Sequence, residues 1–180
     1  MPKLKGSKTE KNLITALQGE ALAHLKYEFY ASQAKKDGYV QMQDIFLETS
    51  KNEKEHAKIW FKLLNGGEIS STSDNLCEAI GVEEYEWSEM YKGFCETAEK
   101  EGFTEIADLF KRAGEAERAH ERRYKKLTER IESGEVFKRD EDIIWKCHNC
   151  GFLHIGKNAP EKCPLCNHPQ AHYRQKESNY

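Results

Sequence analysis

The sequence predicts an all-α four-helix bundle followed by a small C-terminal metal module of short strands and loops. Two distributions predict the division. No proline occurs from Lys3 to Ala159, whereas Pro160, Pro164 and Pro169 crowd the C-terminal end and the fourth is Pro2. Proline breaks helix interiors, so its absence permits long helices. Cys147, Cys150, Cys163 and Cys166 cluster in the same proline-bearing stretch. Residues 1–137 read as the helical domain and residues 138–180 as a linker plus the module, with Gly134 and the charged segment Lys138–Asp142 at the boundary.

Each helix has its own start and stop. Ser7 with Glu10 fits a capping box, and that helix runs to Lys36, where Asp37-Gly38 stops it. The second runs from Gln41 to Leu64 and ends at Gly66-Gly67. The polar stretch Glu68–Asp74 reads as a crossover connection. Asn75 with Glu78 offers a capping box for a third helix ending at Gly102, and a fourth runs from Thr104 to Ser133, stopped by Gly134. Helices of this kind are ~37 Å long, the size of a four-helix bundle.

Composition narrows the function classes. Lys and Arg number 28 against 31 Asp and Glu, a formal net charge of -3, which lacks the basic excess of a nucleic-acid binder. No apolar run reaches the ~20 residues that span a bilayer. The lysine-rich Met1–Glu10 is followed by no apolar segment, so a cytoplasmic protein without a secretory signal is expected.

The inward seams carry charge among apolar residues. The first reads Leu13, Leu17, Glu20, His24, Tyr27, Ala31 and Ala34, and the second Met42, Phe46, Thr49, Glu53, His56, Trp60 and Leu63. The third reads Leu76, Ile80, Glu83, Trp87, Met90 and Phe94, with Glu86 on an adjoining face. The fourth reads Ile106, Phe110, Ala113, Glu117, His120, Tyr124, Leu127 and Ile131. Carboxylates in a core cost several kcal/mol each unless compensated, and no Lys or Arg lies on these seams. Metal cations are the remaining compensation. Solvent-exposed glutamates on a charged surface are the plain alternative, but they would leave these helices no other continuous apolar face.

A single Glu-x-x-His is a weak motif; its repetition is stronger. Glu20 precedes Glu53 by 33 residues and Glu83 precedes Glu117 by 34, so the same helix pair looks used twice. Two helices giving one Glu each and two giving Glu-x-x-His match the ferritin-like di-iron and di-manganese pattern. Oxygen donors with few imidazoles suit Fe(II) or Mn(II) and leave positions open for a small oxidant.

The tail carries the more specific motif. Cys147-x-x-Cys150 and Cys163-Pro164-x-Cys166 have the spacing of a tetrahedral metal site, in a segment too small to fold on a core alone. Ile143, Ile144, Trp145, Phe152 and Tyr173 are candidates for short covering strands. Taken alone, such a site is more often structural Zn. Beside an oxidant-binding di-iron site, an iron that changes charge by one is preferred.

Together these motifs resemble rubrerythrin across essentially the whole chain. The resemblance rests on Gly19-Glu20, Glu53-Lys54-Glu55-His56, Glu83-Glu84-Tyr85-Glu86-Trp87, Met90-Tyr91, Glu101-Gly102-Phe103, Glu117-Arg118-Ala119-His120 and the four cysteines. It departs from the family at Lys92-Gly93, where a proline is expected. The resemblance implies a ferritin-like di-iron bundle, a rubredoxin-like iron domain, and a non-haem peroxidase that reduces hydrogen peroxide to water in oxidative-stress defence. It further implies that Glu53 and Glu117 bridge two irons, that Glu20, Glu83 and His120 are terminal ligands, and that one iron moves between Glu86 when oxidised and His56 when reduced. Five glutamates then balance two ferrous or two ferric ions to within one charge. Tyr27 and Tyr91 are candidate hydrogen-bond partners of ligand carboxylates, with aromatic packing as the alternative.

The implied cofactors are two Fe ions and one Fe in the four-cysteine site, which Zn can fill in recombinant protein. The implied partners are rubredoxin and an NAD(P)H-dependent rubredoxin reductase, with electrons passing from the rubredoxin-like iron to the di-iron site. From Glu117 to the end of the fourth helix is ~24 Å, so a head-to-tail homodimer is expected to bring one chain's tetrathiolate to another's bundle. Two other classes compete: a ferritin-type iron-storage protein, against which Glu86 and the cysteine tail argue, and a Zn-knuckle interaction module.

Overall fold

The computed structural model of the chain describes residues 3–177; Pro2 and the outer limits of both expected domains lie outside them. The chain divides into two compact units, residues 1–70 and 71–180.

The first unit is an antiparallel hairpin of α1 (Lys8–Lys36) and α2 (Val40–Leu64). Ser7 Oγ accepts the Glu10 N–H at 3.1 Å, as the capping box predicts. The reverse arm differs, because Glu10 reaches the N–H of Gly6 rather than that of Ser7. Gly38 sits at φ 83° immediately after α1, the left-handed position that a helix stop requires. Ala31 and Ala34 are buried, so α1 approaches α2 closely at that end.

The second unit repeats this plan with one alteration. Its first arm consists of α3 (Thr72–Tyr85), a π turn (Glu86–Met90) and α4 (Tyr91–Lys100); its second arm is α5 (Thr104–Glu132). Two expectations need correction. The N-cap of α3 is Ser71, whose Oγ accepts the Asp74 N–H at 3.2 Å, so the helix starts before Asn75. The third helix is also not one continuous α-helix, because the Tyr91 N–H bonds the Glu86 carbonyl across a widened turn.

That widened turn holds one extra residue. Glu83 follows Glu20 by 63 residues, but Tyr91 follows Tyr27, and Phe110 follows Phe46, by 64. The side chains still superpose in pattern. Tyr27, Tyr30 and Phe46 have ring separations of 6.1, 6.1 and 5.6 Å, against 6.2, 6.1 and 5.5 Å for Tyr91, Phe94 and Phe110. The inward seam after the π turn also takes in Tyr91, Cys95 and Ala98; Met90 is partly buried, and Phe94, 45% exposed, packs at the seam's edge against Tyr91 and Phe110.

After α5 the chain enters a three-stranded antiparallel sheet in the order β2-β1-β3, with β1 at Lys138–Cys147, β2 at Leu153–Asn158 and β3 at Tyr173–Gln175. Lys138–Asp142, read as a linker, is the first half of β1, joined to β2 by the Lys138–Asn158 pair and then a register shift. Trp145, Cys147, Ala159, Cys163 and Tyr173 are the buried core, with Phe137, Ile143 and Phe152 packed against it. Arg139 stacks over Trp145 and donates to the carbonyls of Glu135 and Lys138, fixing the chain as it leaves α5. Among the described residues, no helix is long and apolar enough to cross a membrane.

Candidate metal centres

Helical spacing builds two like groups. On α2, Glu53 and His56 share a face because they are three residues apart, and Glu20 of α1 meets them. His56 Nδ1 lies 3.0 Å from Glu53 and 3.9 Å from Glu20. On α5, Glu117 and His120 repeat the step, and Glu83 of α3 meets them. His120 Nδ1 lies 2.7 Å from Glu117 and 3.4 Å from Glu83. Within each group the candidate donor atoms lie within 4.8 Å of one another.

The chemistry of both groups fits a cation. The hydrogen bond with Glu53, burial and the Glu53 charge push the Glu20 carboxyl above the usual carboxylate range, against the pull of His56. Burial, followed by the hydrogen bond with Glu117, does the same to Glu83, and the charge of Glu86 adds to it. Glu83 Oε2 is buried without a hydrogen bond among the described residues. Each group thus offers two crowded carboxylates and one imidazole, a donor set suited to a divalent first-row metal.

A pH dependence follows for the metal-free chain. Carboxyls raised in the folded state stabilise it when protonated, and that stability is lost as pH rises through their folded pKa. The metal-free chain should therefore lose more melting temperature between pH 5 and pH 8 than its Glu20→Gln/Glu83→Gln variant. Metal loading should abolish the loss in the unsubstituted chain, because the ligand carboxylates are then ionised and compensated. Parallel thermal melts at the two pH values measure it.

Around these groups, the other candidates fall into place unevenly. Glu86 opens the π turn and stands outside the Glu83 group, yet close enough for its charge to act on Glu83. Tyr27 and Tyr91 lie in the two matching aromatic clusters, which is the packing role expected as the alternative to hydrogen bonding. His24 Nδ1 lies 2.8 Å from Ser50 Oγ, and Ser50, 1% exposed, donates that hydroxyl to the His24 carbonyl. Sequence reasoning did not single out Ser50, nor the buried Glu121 of α5.

The third centre is the cysteine cluster. Cys147 to Cys166 and Cys150 to Cys163 are each 3.7 Å apart between sulfurs. A tetrahedral metal with bonds of ~2.3 Å to sulfur has edges of ~3.8 Å, whereas a disulfide is ~2.05 Å long. The two knuckles are built alike. Gly151 N–H closes on the Cys147 carbonyl at 2.8 Å, and Asn167 N–H closes on the Cys163 carbonyl at 2.9 Å. Both closing residues are left-handed, at φ 81° and 61°, and asparagine tolerates that position better than most residues. The His168 N–H lowers the Cys166 thiol to about 5, while Cys150 is pushed up to about 12, by burial and by its neighbouring cysteines against the Phe152 N–H. Four thiols this close cannot all ionise unless a cation joins them.

Comparison with known proteins agrees with this arrangement. The family model described as "Rubrerythrin" matches residues 11–128, and "Rubrerythrin, rubredoxin-like domain" matches residues 145–174. A rubrerythrin of Porphyromonas gingivalis is 47% identical, covering 98% of this chain and 94% of that protein. A rubrerythrin of Nitratidesulfovibrio vulgaris is 45% identical, covering 96% of each. Rubrerythrin-1 of Clostridium acetobutylicum is 43% identical over the full length of both. With two carboxylate–imidazole groups for a di-iron pair and four thiols for a rubredoxin-like iron, the chain belongs to the rubrerythrin family.

Proposed function

We propose that the chain is a peroxidase that reduces hydrogen peroxide to water at a di-iron centre. Glu20, Glu53 and His56 and the group Glu83, Glu117 and His120 would hold the two irons, with Glu53 and Glu117 as the carboxylates shared between them. The observation that carries the reading is Glu86, one carboxylate more than the two matched groups require, set at the head of the π turn. Glu86 would be a ligand to the ferric pair and His56 would take its place in the ferrous one. That exchange keeps the charge of the ligand set matched to the metal in both states.

Iron supplies the two electrons that peroxide needs, one from each ion. The chain's residues handle the rest. Reduction of one peroxide to two waters takes two protons, and Glu86, once displaced, is a free carboxylate able to carry one of them. Tyr27 and Tyr91, each in the aromatic cluster of its own hairpin, are the candidate hydrogen-bond donors to ligand carboxylates. Cys147, Cys150, Cys163 and Cys166 hold the iron that passes electrons inward from rubredoxin and its NAD(P)H-dependent reductase. We place this activity in the cytosol, in a head-to-tail homodimer, with domain limits at residues 1–137 and 138–180. An isolated monomer with undiminished turnover would contradict that assembly.

Stoichiometric peroxide should oxidise the anaerobically reduced, iron-loaded protein within seconds, without growth of an iron mineral. Mineral growth under air with slow peroxide oxidation would identify a ferritin-type protein instead. The Glu86→Ala variant should keep its iron while its peroxidase rate falls by about 10- to 100-fold, which is ~1.4–2.7 kcal/mol of barrier. Equal rates in variant and wild type would remove the exchange step.

A further inference from the structure

The residue that follows Glu86 is tied to a carboxylate outside both metal groups. Trp87, inside the π turn, donates its indole N–H to Glu121 Oε2 at 3.2 Å. Glu121 is 5% exposed and also pairs with Lys125, and the Arg118 guanidinium covers the Trp87 ring at 5.1 Å. Below the turn, α5 presents Gly114. A Cβ there would meet Tyr91 Cβ at 3.4 Å and the Trp87 backbone at 3.9 Å. The π turn therefore lies directly on the backbone of α5.

The first hairpin shows what this replaces. By the spacing of 64 that relates Phe46 to Phe110, Ser50 occupies the place of Gly114, and by the spacing of 63 that relates Glu20 to Glu83, His24 occupies the place of Trp87. There the serine hydroxyl donates to the His24 main-chain carbonyl at 3.1 Å, tying the backbone of an unbroken helix. In the second hairpin no hydroxyl is present at Gly114, and the tie moves to the tip of a side chain. A bond at the end of an indole fixes the rotation of the turn while leaving its main chain free to rewind.

We propose that Glu121 is a positioning residue: through the Trp87 indole it fixes the winding of the π turn and hence the direction of Glu86. This rests on the reading of Glu86 as an exchanging ligand, but its structural half is testable without turnover. Leaving Trp87 without an acceptor also leaves a half-buried donor unpaired, so the turn is expected to open more often.

The test uses the full chain, iron-loaded and metal-free, with amide hydrogen exchange read over residues 86–91 against α1, α2 and the rest of α5. Trp87→Phe and Glu121→Leu should exchange at least about 10-fold faster in that segment and remain unchanged elsewhere, an effect of ~1.4 kcal/mol. Glu121→Gln keeps an acceptor oxygen and should restore slow exchange to within about twofold, although its charge is gone. Peroxidase rate should follow the same order, with glutamine at half of wild type or better. Wild-type exchange at residues 86–91 in Trp87→Phe overturns the proposal. So does acceleration spread evenly over α3 and α5, or failure of glutamine to rescue. If Glu121→Leu does not fold, Trp87→Phe decides between these outcomes alone. Local exchange that follows the predicted order, combined with an unaltered rate in Glu86→Ala, would uphold the positioning device and reject only the ligand-exchange reading.

Discussion

Glu117→Ala should strip the di-iron pair from the protein and lower peroxidase turnover by ~10³-fold or more, since a lost metal removes several kcal/mol of stabilisation. Glu117 is the carboxylate closest to His120, at 2.7 Å, and it groups with Glu83 within 4.8 Å. On its proposed bridging role, its removal takes a carboxylate from both ions and leaves Glu83, Glu86 and His120 on its own hairpin, too little to hold the pair together. The four cysteines lie on other elements and should keep their iron. Metal analysis should thus fall from about three irons per chain to about one, with the iron–thiolate visible spectrum unchanged. Three irons retained in the variant would show that Glu117 is no ligand.

Cys163→Ser should act on the other module with equal force. Cys163 is fully buried and touches the same core as Trp145, Cys147 and Tyr173. A hydroxyl binds soft metal poorly, and a module of this size has too little apolar area to fold without its ion. The expected result is loss of the thiolate absorption, with fast amide exchange throughout β1, β2 and β3. Exchange in α1 to α5 should stay slow. Turnover driven by rubredoxin and its reductase should stop, whereas a protein reduced chemically in advance should still consume one peroxide per iron pair. Undiminished donor-linked turnover without the thiolate iron would mean that electrons enter elsewhere.

Much of this molecule was legible from periodicity and spacing. α1, α2 and α5 stop beside glycines and α1 starts at its Ser7 cap, because those signals act within one turn of chain. Both carboxylate–imidazole groups were visible because residues three apart on a helix must share a face. The π turn was hidden for the opposite reason. Its extra residue lies inside an unbroken run of helix-compatible residues, and only the unequal spacings of 33 and 34 hinted at it. Glu121 was missed because it adjoins His120 and periodicity assigns it to the polar face; its burial depends on the reach of Trp87 from another helix. Lys138–Asp142 looked like a tether because charge suggests solvent, yet its exposed side chains belong to a strand that Lys138 anchors to β2 at one end and Ile143 at the other.

The single additional amino acid at residues 86–90 has a wider meaning. A hairpin used twice would give two metal sites with the same surroundings, and nothing would distinguish one ion's chemistry from the other's. A glutamate in the place of Ala23, set at the head of a turn that absorbs one inserted residue, gives the second copy a spare acidic arm that the first copy lacks. Chemical polarity between twin sites thus needs no new fold and no new ligand type, only one exchanged side chain beside a turn that is out of step with its sibling.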